Sequence, residues 1–366
     1  MAAKQEPSRN AVEDAENIVA QTAERIFADL ADAQTINSDK KGSWKAPLWR
    51  ALSEAGLPLS WVAEEYGGSG ATLAEGFGVL SAAGRSALPV PLAETMLAGW
   101  LLSLGKIACP EGEMTLVPAG PKDRITLNGD ATLSGRARGV PFAKEARHIA
   151  VLAHDEKAKP SIALVSADKC RIESSLNLGG DHTDIVTFDR VTPVAVKPAP
   201  DDFDLTSALL MGAVARSLQI AGSLESMLEI SVRYSNERVA FEKKISKFQA
   251  VQHNLARLAG ESAAALAAAT SAADALADPA TPKDAAFLEA ASAKIRCSEA
   301  AEKAAAIAHQ VHGAIGFTIE HILHRYTLRA LAWRDDFGSE SYWAVELGKR
   351  VAANGADELW PLVASR

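Results

Sequence analysis

The chain is predicted to be an α+β protein with a helical N-terminal domain (residues 1–112), a middle antiparallel β-domain (113–197) and a C-terminal helical bundle (198–366). Three observations support this. Apolar residues recur at three- and four-residue spacing up to about residue 105 and again from 206 onward. Between these stretches lie short β-branched runs separated by turn residues. The order of helices, strands and helices fits segregated layers better than a βαβ alternation.

In chain order, residues 11–33 read as an amphipathic helix with Val12, Ile18, Val19, Ala23, Ile26, Phe27 and Leu30 on one face. A polar loop is expected at 34–43. A helix at 44–55 then stops at Gly56, a suitable residue for the position after a helix end. Helices at 72–85 and 92–105 are separated by Pro89 and Pro91. Strands are expected at 114–117, 124–127, 148–152, 161–165 and 184–188, with turns at Gly129-Asp130 and Gly179-Gly180-Asp181. Pro193, Pro198 and Pro200 mark a linker. Helices are expected at 206–240, 246–276, 282–313 and 340–358, with Pro279 and Pro282 between the second and third.

Composition narrows the function classes. The 366 residues carry a net charge of -8, which argues against nucleic acid, since phosphate binding needs a positive field. Cys109, Cys170 and Cys297 are widely spaced and make neither a disulfide framework nor a metal-ligand pattern. Reduced thiols and a cytoplasmic location are the expectation. No uninterrupted run of 18 apolar residues occurs, so no membrane span is expected, and the polar segment 1–10 has no leader-like apolar region.

Two blocks carry more information. One is Arg238-Val-Ala-Phe241, followed by Ile245-Ser-Lys-Phe-Gln-Ala-Val-Gln-His253. The other is Gln310-Val-His-Gly-Ala-Ile-Gly-Phe-Thr318, with His324-Arg325-Tyr326 beyond it. A guanidinium presents a planar fork of donors to phosphate oxygens, and small residues at a helix end let free N–H groups approach an anion. Together with Glu65-Tyr-Gly-Gly-Ser-Gly70, these blocks resemble the acyl-CoA dehydrogenase family. The resemblance implies an FAD cofactor, an acyl-CoA substrate and an electron-transfer flavoprotein as acceptor. It also implies that Arg238, Phe241, Ile245, Gln249, Gln310 and Gly313 contact the ADP half of a flavin held by a neighbouring subunit. Two positions depart from the family pattern. Glu242 and Ala314 stand where glycine is usual.

The chemistry implied by the resemblance is α-proton abstraction by a glutamate and hydride transfer to the flavin. Counting from Gly316 puts Gly338 close to the usual glutamate position. Counting back from Arg238 puts Gly212 at the position used by other members. Neither holds a carboxylate. Asp336 is the nearest candidate base, with Asp335 and Glu340 beside it; such acids also commonly flank a helix N-terminus. The family's Thr-Glu-Pro-x-x-Gly-Ser-Asp segment and Trp-Ile-Thr strand are missing from 113–165, so the β-domain is expected to be shortened. The leading expectation is the non-catalytic half of an α2β2 complex acting on a bulky acyl-CoA, as in steroid and bile-acid side-chain breakdown. The alternatives are a homo-oligomeric enzyme with Asp336 as base, and a flavin-free helical interaction protein.

Overall fold

A computed structural model describes residues 9–39 and 41–364. The polar segment at 1–8 lies outside the described residues, as do the side chains before Ile18, Val12 among them.

Helix α1 (Arg9–Leu30) buries Ala23 and Phe27. The expected polar loop contains a second helix, α2 (Ala33–Ser38). The Asp32 carboxylate accepts from the Gln34 and Thr35 amides and Ile36 is buried, so a cap and one anchor suffice for a helix within a polar stretch. Helix α3 (Lys45–Glu54) gives way to Gly56 at φ +70°. Helix α4 (Leu73–Arg85) opens with a reciprocal capping box between Thr72 and Glu75. Helix α5 (Leu92–Leu104) is buried along almost its whole length.

The strands are β1 (Met114–Val117), β2 (Arg124–Leu127), β3 (Leu133–Pro141), β4 (His148–His154), β5 (Pro160–Ser166), β6 (Arg171–Glu173), β7 (Thr183–Val191) and β8 (Ala195–Pro198). They form one sheet in the order β6-β7-β3-β2-β4-β5-β8, with β1 also on β4. Most pairings are antiparallel, as expected, but two are not. Strand β1 pairs parallel with residues 148–151 of β4, and β2 touches β4 farther on, through Thr126 and His154. After the loop at 118–123 the chain therefore continues in the same direction along β4 instead of folding back. Alternation splits the sheet between two cores. Ile149, Val151 and Val165 join Val140, Val186 and Phe188 on one face. Ala150, Leu152, Ile162 and Leu164 face α5 and the main core.

The C-terminal bundle is built on α6 (Leu205–Glu237), with Asp204 capping the Ser207 amide. This helix is long and apolar enough to cross a membrane, but it runs through the centre of the bundle and is mostly buried. Gly84 of α4 and Gly222 of α6 make this crossing possible. A Cβ on Gly84 would lie 2.2 Å from the Gln219 carbonyl oxygen, and one on Gly222 would lie 2.3 Å from that of Ser81. A short hairpin, β9 (Val239–Ala240) and β10 (Lys243–Lys244), leads to α7 (Gln249–Ala277) and α8 (Lys283–His312). After a 3-10 segment at Gly313–Phe317 come α9 (Leu323–Trp333), α10 (Glu340–Asn354) and α11 (Leu359–Ala364). The N-terminal helices and this bundle share one apolar core.

Candidate functional site

The two sequence blocks meet at one end of the bundle. The Tyr234 hydroxyl, one turn before the end of α6, donates to the carbonyl of His312 at 3.3 Å. The two rings stack with centroids 4.4 Å apart. Arg238 closes α6, its amide donating to the Tyr234 carbonyl, and its side chain is exposed. Phe241 is 89% exposed, so this ring is not a core residue, although it meets Phe248 edge-on. Phe241 and Glu242 both have positive φ, +50° and +64°, a conformation that favours glycine and here carries two side chains. Ile245 is half-buried and Gln249 exposed. Gln310 and Gly313 line a groove of about 550 Å3 with His309, Ala314 and Phe317. Val239, Phe317 and Ile319 are also exposed, so this end presents an apolar surface.

The second locality lies where α5, α6 and the loop before α10 converge. Phe337, the residue before Gly338, is the one that meets Gly212. A Cβ on Gly212 would lie 2.3 Å from the Phe337 ring, which is fully buried. The Phe337 amide donates to the carbonyl of Ala119 in the β-domain at 3.1 Å. Gly338 has φ +98° and is packed under the Trp343 and Tyr342 rings. Neither Gly212 nor Gly338 carries a side chain, and the Phe337 ring occupies the space beside Gly212.

Asp336 lies beside that ring but is engaged. Its Oδ2 accepts from Arg216 Nε at 2.9 Å. The same guanidinium donates to Glu94 Oε1 at 2.5 Å and to Gln219 Oε1 at 2.5 Å. Arg216 and Glu94 are only 2% and 1% exposed. Burial holds the Glu94 carboxyl above the usual carboxylate range against the pull of Arg216. The Trp333 and Phe337 rings flank the guanidinium at 5.8 and 5.6 Å. Lys294, fully buried on α8, donates to the Trp333 carbonyl at 2.6 Å, and burial pushes its ammonium down to about 7. Both ends of the segment 333–336 are therefore held by buried cations. The cap of α10 is Ser339; Asp335 is exposed and Glu340 pairs with Arg334 at 3.5 Å. Sequence reasoning passed over Glu94, Arg216 and Lys294. The available signal was a lone charge inside an apolar stretch, plain for Glu94 in α5 and for Arg216 in the first half of α6, and absent for Lys294, which shares α8 with many other charges.

The signature of the acyl-CoA dehydrogenase C-terminal domain matches residues 204–342, and that of the N-terminal domain matches 13–108. IpdE2 of Mycobacterium tuberculosis, an acyl-CoA dehydrogenase, is 30% identical over 77% of this chain and 80% of its own length. The chain belongs to the acyl-CoA dehydrogenase family. A chain of the ChsE4-ChsE5 complex from the same organism superposes with a TM-score of 0.82 at 21% identity, covering 97% of this chain and all of the other. A variant of the Tcur3481-Tcur3483 steroid acyl-CoA dehydrogenase superposes with a TM-score of 0.79 at 26% identity, covering 94% and 99%. The fold, with N-terminal helices, a central sheet and a C-terminal helical bundle, is that of the family. An acyl-CoA dehydrogenase of the same fold, from Bacillus anthracis, has been solved complexed with FAD.

The residues present suit the two halves of a flavin unequally. At the bundle end, a guanidinium and a carboxamide are exposed and small residues line the groove, groups of the kind that suit a diphosphate. At the Phe337 locality the loop is closed onto both α6 and the β-domain.

Proposed function

We propose that this chain is the cofactor-clamping, non-catalytic subunit of a heteromeric, FAD-dependent dehydrogenase acting on a bulky, steroid-derived acyl-CoA. The observation that carries this reading is Phe337 packed on Gly212. No carboxylate stands at Gly212 or at Gly338, where the base is expected, and the Phe337 ring closes the space beside Gly212. The ADP-side residues, in contrast, remain exposed and unobstructed. Bound FAD would supply the acceptor for the hydride leaving the acyl chain. Within this chain, Arg238 and Gln310 hold the pyrophosphate side across a subunit interface, and Phe241 covers the adenine end. The partner supplies the carboxylate base and the β-domain contacts to the flavin ring. Support for an unlike partner comes from the ChsE4-ChsE5 and Tcur3481-Tcur3483 assemblies, and support for a steroid substrate from the second of them. A homo-oligomer with Asp336 as base finds no support, because that carboxylate is held by a buried arginine.

The test is turnover of steroid-derived acyl-CoA thioesters with an artificial electron acceptor. The chain alone, with FAD added, is expected to be inactive, and co-expression with a dehydrogenase-like partner bearing the glutamate is expected to give activity. Turnover by the chain alone at ~1 s⁻¹ or faster, within the ordinary enzyme range, would overturn the reading.

A further inference from the structure

Four histidines fall within sixteen residues around the second block: His309, His312, His321 and His324. Two of them, His312 and His321, form a packed group with Tyr234. His312 stacks on Tyr234, lies 4.8 Å from His321 in a tilted contact, and Tyr234 meets His321 edge-on at 6.0 Å. His309 stacks on Phe317 at 4.2 Å. The group sits between the end of α6, which launches the Arg238 hairpin, and the 3-10 segment that carries Gly313.

Hydrogen bonding fixes the neutral state of these rings. His312 Nδ1 faces the Ala308 carbonyl at 2.8 Å, and a carbonyl only accepts, so the proton is on Nδ1. Its Nε2 is buried and has no partner. His321 Nδ1 accepts from the Leu323 amide at 3.2 Å, which leaves that nitrogen unprotonated. A second proton on His312 would therefore place an N–H in a buried position without an acceptor. The groups acting on His312 and His321 are His309, His324 and Arg233. Each repels a further charge. Tyr234 contributes only its neutral ring, and Glu320, next to His321, is exposed.

We infer that His312, with Tyr234 and His321, is the joint that registers the two cofactor-binding blocks against each other, and that it holds them only while the imidazoles are neutral. His312 is thus a positioning residue for the ADP half of the flavin. The inference rests on the proposed clamping role and adds to it a pH dependence located at one ring. Burial pushes His312 down to about 4 from an ordinary 6.5. A histidine with a lowered folded pKa contributes stability that is complete above the unfolded pKa and is lost as pH falls toward the folded one. The closed joint should therefore weaken on the order of 10-fold between about pH 7 and pH 5.

The experiment measures FAD dissociation from the assembled holoprotein by flavin fluorescence across this range, for wild type, His312→Phe, His312→Ala and Arg238→Ala. Phenylalanine keeps the stack and cannot be protonated; alanine removes the stack. The expected result is on the order of 10-fold weaker FAD binding in the wild type at the acid end, an acid limb reduced in His312→Phe with near-wild-type binding at pH 7.5, and on the order of 10-fold weaker binding in His312→Ala at every pH. If His312→Phe keeps the full acid limb, or behaves like His312→Ala, the joint is overturned while the clamping role stands. If Arg238→Ala retains FAD as well as the wild type, the clamping role fails and the joint fails with it.

Discussion

Replacing Arg216 with methionine tests whether the Phe337 locality is a structural core or a disabled active site awaiting a ligand. The substitution removes a guanidinium bonded to Glu94, Gln219 and Asp336 and leaves two carboxylates facing apolar surroundings, one of them 1% exposed. Removing one member of a buried ion pair typically costs about 3–5 kcal/mol, because the remaining charge is left uncompensated. In a chain of this size that corresponds to a fall in melting temperature of roughly 4–7 °C. The effect should depend on pH with a definite sign. Without the arginine, the folded-state pKa of Glu94 rises further above its unfolded value, so stability returns as pH falls toward that unfolded value. Neutralising the two acids as well, with Glu94→Gln and Asp336→Asn in the same chain, should recover most of the loss, giving a coupling well above ~1 kcal/mol between the sites. The assay is thermal unfolding followed by circular dichroism at two pH values. A loss below ~1 kcal/mol for Arg216→Met, or a combined variant no more stable than the single one, would refute the account of this network as a core.

Asp336→Asn alone should leave the activity of the assembled enzyme within about twofold of wild type while lowering the melting temperature; a complete loss of turnover would restore Asp336 as a base. Phe337→Ala should cost about 3–5 kcal/mol by opening a cavity and should bring no activity to the isolated chain, as read by thermal unfolding and an acceptor-linked assay. Arg238→Ala should weaken FAD binding ~10- to 150-fold through loss of a charge-assisted contact worth roughly 1.5–3 kcal/mol, measured by flavin fluorescence. Glu242→Gly should tighten FAD binding, since it relieves a left-handed backbone at φ +64° and removes a carboxylate beside the diphosphate site; unchanged or weaker binding would contradict this.

The helices were legible where local chemistry agreed with packing. Thr72 and Glu75 announce α4, and Gly56 marks the end of the helix before it. Strand β3 was missed because Gly135 and Gly139 interrupt its alternation, and the strand shifts register twice against β7. Helix α9 was missed because its buried face carries Arg325 and Arg329, which break the apolar period; Arg329 is paired with Asp181 at 2.7 Å. The cofactor blocks were readable because each is contiguous. The buried network was not, because Arg216 lies 120 residues from Asp336 and 122 from Glu94, and only the fold brings the three together. The packing of Phe337 on Gly212 was not legible either, because the two residues lie in different elements and only the fold brings them together.

Native mass spectrometry of the assembled, FAD-loaded enzyme tests the central claim most directly, because it counts chains and flavins together. A chain that clamps another subunit's cofactor and has no ring site of its own predicts an α2β2 assembly with a single FAD for each pair of unlike chains. A homo-oligomer of this chain with one FAD per copy, or an unlike pair carrying two, would contradict it.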